Sequence, residues 1–147
     1  MKIKIKIYAV FSVLLIMLLT ISVSANQNYS KEEYIVTIEV REIPSIERDS
    51  TKIGSKTYTY SNKSGEVLWK YTVYGKFSYN GKNATCIQVT DEYNFVASDW
   101  SLKSHSTKVS GNQAVGNISA KQTVLGQIVN TVSDQVVLSC SSDGNLY

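Results

Sequence analysis

Between Val67 and Tyr79 the chain alternates large apolar and polar side chains with a period of two. Val67, Trp69, Tyr71, Val73, Phe77 and Tyr79 share one parity; Lys70, Thr72, Tyr74 and Lys76 share the other. A helix would scatter these residues around its circumference, whereas an extended strand sends successive side chains to opposite faces. The run therefore specifies a strand buried on one side. Gly75 interrupts the apolar series, as a bulge or bend would. Asn80-Gly81 follows, and this pair accepts positive φ at both centres of a tight hairpin turn. The chain is thus expected to return as a strand from about Ala84 to Thr90, carrying Cys86.

Similar runs flank this hairpin. Tyr34 to Ile43 sets Val36, Ile38 and Val40 against Thr37, Glu39 and Arg41, and Pro44 ends it. Ile53 to Tyr60 is a second strand, with Tyr58 and Tyr60 opposite Thr57 and Thr59. Trp100–Lys108 and Gln113–Val124 flank Gly111-Asn112, a further two-residue turn. Ile128 to Cys140 places Val132, Val136, Leu138 and Cys140 on one face, and Ser141 to Gly144 reads as a turn or frayed end. The sum predicts an all-β domain of about seven antiparallel strands in a sandwich or partly closed barrel. Cys86, Trp100 and Cys140 follow a rhythm compatible with immunoglobulin-like architecture. Its topology is not supported, because three strands precede Cys86 and Leu138 stands where a corner Tyr belongs.

The first 25 residues read as an address. Lys2, Lys4 and Lys6 precede the 17 uncharged, mostly apolar residues Ile7 to Val23, and Val23-Ser24-Ala25 fits a signal peptidase. Residues 1–25 are expected to be a signal peptide removed after Ala25, 26–33 a flexible lead-in, and 34–147 the single domain. The product would be secreted and extracellular; retention of the segment as an anchor is the alternative, for which the run is short. Cleavage discards three lysines, so 15 basic against 12 acidic residues become 12 against 12. The formal +3 thus belongs to the leader, and with it goes the hint of a nucleic-acid partner. Export puts Cys86 and Cys140 where a disulfide persists. Closing that 55-residue loop would contribute roughly 4 kcal/mol by chain entropy.

Catalytic patterns are missing from the sequence. The lone His105 sits between Ser104 and Ser106, whose side chains leave a strand on the other face. The carboxylate pairs Glu32-Glu33 and Asp91-Glu92 stand among polar residues, as solvated turns do. One His and two separated Cys do not make a zinc site. The expected protein is non-enzymatic, without cofactor or metal, and binds a cell-wall polymer, a glycan or another extracellular protein. Residues 52–82 carry six Lys against Glu66, and their presumed outer face would present Tyr58, Tyr60, Lys70, Tyr74 and Lys76 to such a ligand. A second reading is a membrane-active or antimicrobial effector using the 100–124 hairpin, with Ala114, Gly116, Ile118, Ala120 and Val124 as its lipid face.

One group of motifs spans Gly65 to Asn145. It comprises Gly65-x-x-Leu68-Trp69, Val73-x-Gly75-x-Phe77-x-Tyr79-Asn80-Gly81 and Ala84-x-Cys86. Trp100, Lys108-x-x-Gly111-Asn112, Leu138-x-Cys140 and Asp143-Gly144-Asn145 complete it. In these residues the chain resembles a family of small secreted proteins of Gram-positive, clostridia-like bacteria. The resemblance implies export, a disulfide-linked β domain and a Gram-positive source. It implies no catalytic residue, since every matching position is a turn former, an apolar or aromatic side chain, a Lys or a Cys.

Overall fold

The computed structural model describes residues 34–44 and 50–147. The leader, its cut and the lead-in expected from sequence lie outside the described residues. Seven strands run in chain order: β1 Ile35–Ile43, β2 Thr51–Ser61, β3 Val67–Tyr79, β4 Ala84–Phe95, β5 Trp100–Ser110, β6 Gln113–Val124 and β7 Gln127–Ser139. They form two antiparallel meanders, β1-β2-β3-β4 and β5-β6-β7. The sheets stack as a sandwich, β4 over β5, β3 over β6 and β2 over β7. They do not close into a barrel. Consecutive order within each sheet also departs from the immunoglobulin arrangement.

The predicted parity of β3 holds. Trp69, Tyr71, Val73 and Phe77 are fully buried and meet Ala114, Ile118, Ala120, Val136 and Leu138 of the facing sheet. Gly75 is no bulge, because it pairs in register with both Gly54 and Val89. It makes room instead: a Cβ there would stand 2.5 Å from the Phe77 ring and 2.9 Å from Ala114. The irregularity lies opposite, where Phe77 pairs with Cys86 and Lys76 with Gln88, leaving Ile87 as an extra residue. The inward parity of β4 thereby changes from Cys86 to Val89, Asp91, Tyr93 and Phe95. A second shift, between Leu102 and Ser104, leaves Lys103 unmatched and turns His105 inward.

Two sequence expectations need correcting. β4 continues to Phe95, so Asp91-Glu92 belongs to a strand and not a turn. Tyr60 is 4% exposed and stacks on Trp69 with ring centroids 3.8 Å apart, because its register partner is Trp69 and both face the core. Tyr58 pairs with Tyr71 and lies against the same core. Of the two readings of Ser141 to Gly144 the turn holds, closed by the Gly144 N–H donating to Ser141 O at 3.0 Å; beyond it Ser139 and Tyr147 exchange two backbone hydrogen bonds, and Cys140 bridges to Leu146.

Candidate functional site

The proposed ligand surface is divided by the sheet. Lys70, Tyr74 and Lys76 lie on the outer face of the four-stranded sheet, while Tyr58 and Tyr60 point into the sandwich. On that outer face Thr57 and Thr72 share a hydroxyl hydrogen bond of 2.9 Å, and the Tyr74 hydroxyl donates to Glu92 at 3.0 Å. Partial burial and this carboxylate push the Tyr74 phenol above its ordinary pKa. What remains outside is one aromatic ring beside two lysines.

A larger feature sits on the outer face of the three-stranded sheet. Register places Ser104, Ser119 and Ser133 in one row across β5, β6 and β7, and Ser106, Asn117 and Gln135 in the next. These rows, with the intervening His105, Ile118 and Asp134, line an open cleft of about 670 Å³. Its side chains are already cross-linked. Ser119 and Ser133 share a hydroxyl hydrogen bond of 2.9 Å, Gln135 Nε2 donates to Asn117 Oδ1 at 2.9 Å, and Asn117 Nδ2 donates to Ser106 Oγ at 3.3 Å. Hydroxyls and primary amides both donate and accept, so the cleft offers either partner without a formal charge on those six side chains.

The inner faces carry polar groups that the sequence did not bring together. Asp91 Oδ2 accepts from the Tyr71 hydroxyl at 2.8 Å and lies 2.8 Å from His105 Nδ1. Asp134, on the inner face of β7, accepts a hydrogen bond from the Tyr60 hydroxyl. Burial first, then the bond to its carboxylate, holds each of these phenols well above the usual tyrosine range. Asp91 and His105 make a carboxylate–imidazole pair, but Ser104 and Ser106 project from the opposite face. The hydroxyl bonded to Asp91 is that of Tyr71, a buried donor within the core. Among the described residues no three His, Cys, Asp or Glu side chains are grouped to hold a metal ion.

Cys86 and Cys140 are both buried, and both are free thiols rather than the expected disulfide. They nevertheless share one core cluster. The Cys86 N–H donates to Gly111 O at 2.8 Å and the Cys140 N–H to Asn112 O at 3.1 Å, so both hang from the same β5–β6 turn. Burial raises both thiol pKa values; at Cys140 the Lys52 ammonium opposes the rise and the Cys86 thiol adds to it. The expected lipid face of the 100–124 hairpin is mostly occupied, since Ala114, Gly116, Ile118 and Ala120 are buried under the other sheet. Only Val124 is exposed.

No protein-family model matches the chain, and neither a curated protein nor a solved structure does.

Proposed function

We propose that this chain is an exported, non-enzymatic binding domain that holds a glycan chain, such as a cell-wall polymer, in the cleft across β5, β6 and β7. The observation that carries the reading is the lining: two rows of Ser, Asn and Gln side chains, already oriented by their own hydrogen bonds. A sugar presents hydroxyls that donate and accept, and such a surface matches them without an ionic partner. The leader-like N-terminus supports export, with cleavage after Ala25. In an oxidising compartment the two thiols, brought to one turn, would close as the Cys86–Cys140 disulfide.

Sedimentation with purified cell walls tests the reading. Replacing Asn117→Ala and Gln135→Ala together removes two amides, each contributing about 1 kcal/mol as a neutral hydrogen bond. Binding should weaken by roughly 30-fold, the equivalent of those two bonds. The triple variant Lys70→Ala, Tyr74→Ala, Lys76→Ala on the opposite sheet should bind normally. Loss of binding in the triple variant alone would move the site to the four-stranded sheet. Absence of wall binding by the unmodified protein overturns the glycan assignment.

A further inference from the structure

The two sheets differ by one strand, and the difference leaves a slot. β2 lies over β7, so β1 projects one strand beyond the facing sheet. Its inward residues Val36, Ile38 and Val40 are 40%, 53% and 39% exposed, although their register partners Tyr60, Tyr58 and Lys56 face the sandwich. No described strand stands opposite them. Beneath this stripe runs the outer edge of β7, which no strand among the described residues covers from Val137 to Thr131. Ser139 exchanges both backbone bonds with Tyr147, so the backbone groups of Val137, Gln135, Ser133 and Thr131 point away from β6 in the same way. Two of those groups carry makeshift partners: Lys56 Nζ donates to Val137 O at 3.0 Å, and the Gln135 N–H donates to Asp134 Oδ1 at 2.7 Å.

A fragment of chain already sits at one end of the slot. Leu146 and Tyr147 pair antiparallel with Cys140 and Ser139, and Leu146 Cδ1 lies 2.1 Å from where a Cβ on Gly54 would be. These two residues are the beginning of an eighth strand, with an apolar side chain turned inward. At the other end Tyr34 closes the slot, pairing its hydroxyl with Asn130 Nδ2 at 2.5 Å and its ring edge-on with Trp100.

We infer that the slot takes an extended peptide segment of a partner protein, which pairs antiparallel with β7 from Val137 to Thr131 and buries apolar side chains under β1. Such strand addition draws affinity from main-chain bonds and selectivity from alternate side chains. The slot is one strand wide, which argues against a second copy joined edge to edge. Two β7 edges in contact would bring β1 of one copy into the place that β2 of the other already fills. Charge refines the partner. Lys56 projects inward near Val137, so the first inward position of the incoming strand suits a carboxylate, and the next two, under Ile38 and Val36, suit Val or Ile.

The probe is the acetylated and amidated peptide Thr-Glu-Thr-Val-Thr-Val-Thr, titrated into the purified protein by amide NMR. Binding is expected to shift and protect the amides of Thr131, Ser133 and Val137. Replacing the peptide's Glu by Lys should weaken binding at least tenfold, as should the variant Ile38→Asp. Thr131→Pro should do the same while leaving the fold intact, because the proline removes only an edge-facing N–H. Failure to bind at millimolar peptide, or binding indifferent to all three changes, overturns the inference. A peptide-free dimer that Ile38→Asp converts to monomer would also overturn it, by assigning the stripe to a second copy.

Discussion

Gly116 marks a tight approach of β3 and β6, and Gly116→Ala tests the packing of the two sheets directly. A Cβ there would stand 2.4 Å from Val73 Cγ2, 2.5 Å from the Tyr71 hydroxyl oxygen and 3.1 Å from Tyr71 Cζ. Carbon contacts are comfortable near 3.5–4.0 Å, so the sheets must part by about 1 Å or a side chain must yield. Neither neighbour is free to do so. Val73 and Tyr71 are both fully buried, and Tyr71 is held to Asp91 at 2.8 Å. Overpacking of this kind costs about 1–3 kcal/mol, and breaking the Tyr71–Asp91 bond would add about 1.5–3 kcal/mol. Replacing glycine in a strand returns about 0.5–1 kcal/mol of backbone entropy. With all three terms the expected net loss is about 1.5–5.5 kcal/mol, centred near 3 kcal/mol. With a urea slope of about 1–3 kcal/mol/M, the midpoint falls by about 1–2 M, readable in the fluorescence of Trp69 and Trp100. Val73→Ala removes the nearest obstacle. The double variant should therefore be less destabilised than the sum of the singles by at least about 1 kcal/mol. A Gly116→Ala loss below about 0.5 kcal/mol, or strict additivity with Val73→Ala, would refute the close approach of β3 and β6.

Two further outcomes follow from the buried polar groups. The Tyr60 and Tyr71 phenols have raised pKa values when folded, whereas the unfolded chain releases these protons near pH 10. Their contribution is therefore intact below pH 10 and is lost as the pH rises above it, at about 1.4 kcal/mol per pH unit for each tyrosine; Tyr71→Phe should remove one such increment from the slope of urea-derived stability against pH. The reduced native protein should react slowly with an aromatic disulfide reagent at Cys86 and Cys140 and quickly when unfolded, while mild oxidation should lower the intact mass by two hydrogens. Rapid native labelling, or a mixed adduct in place of the internal bond, would contradict the burial or the pairing.

The legible part of this fold was whatever alternates without interruption. β3, β6 and the apolar positions of β7 carry their inward faces in plain period two. Asn80-Gly81 marks where β3 reverses, but through the four-residue loop 80–83, with positive φ at Gly81 and not at Asn80, rather than through a two-residue turn. The extra residues at Ile87 and Lys103 were hidden, because a bulge leaves no mark in composition yet reverses parity for the rest of the strand. Those two reversals aim Asp91 and His105 at each other, so the pair could not be found by counting along either strand. Tyr60 was misplaced for a different reason. The alternation of β2 is Thr against Tyr, which pattern alone does not orient; the register with Trp69 and the bond to Asp134 decide it. The cleft was visible only as a polar hairpin, since its rows exist across three strands rather than along one.

The two meanders are joined once, through the residues between Phe95 and Trp100. Every ladder among the described residues therefore links strands adjacent in sequence, and each can close as a local hairpin before the sheets meet. Loop-closure entropy, which slows sandwiches whose strands cross from sheet to sheet, is incurred here mainly in the docking of one finished meander on the other. The chain should accordingly fold faster than its all-β content suggests, with the burial of Trp69 and Trp100 reporting the late step.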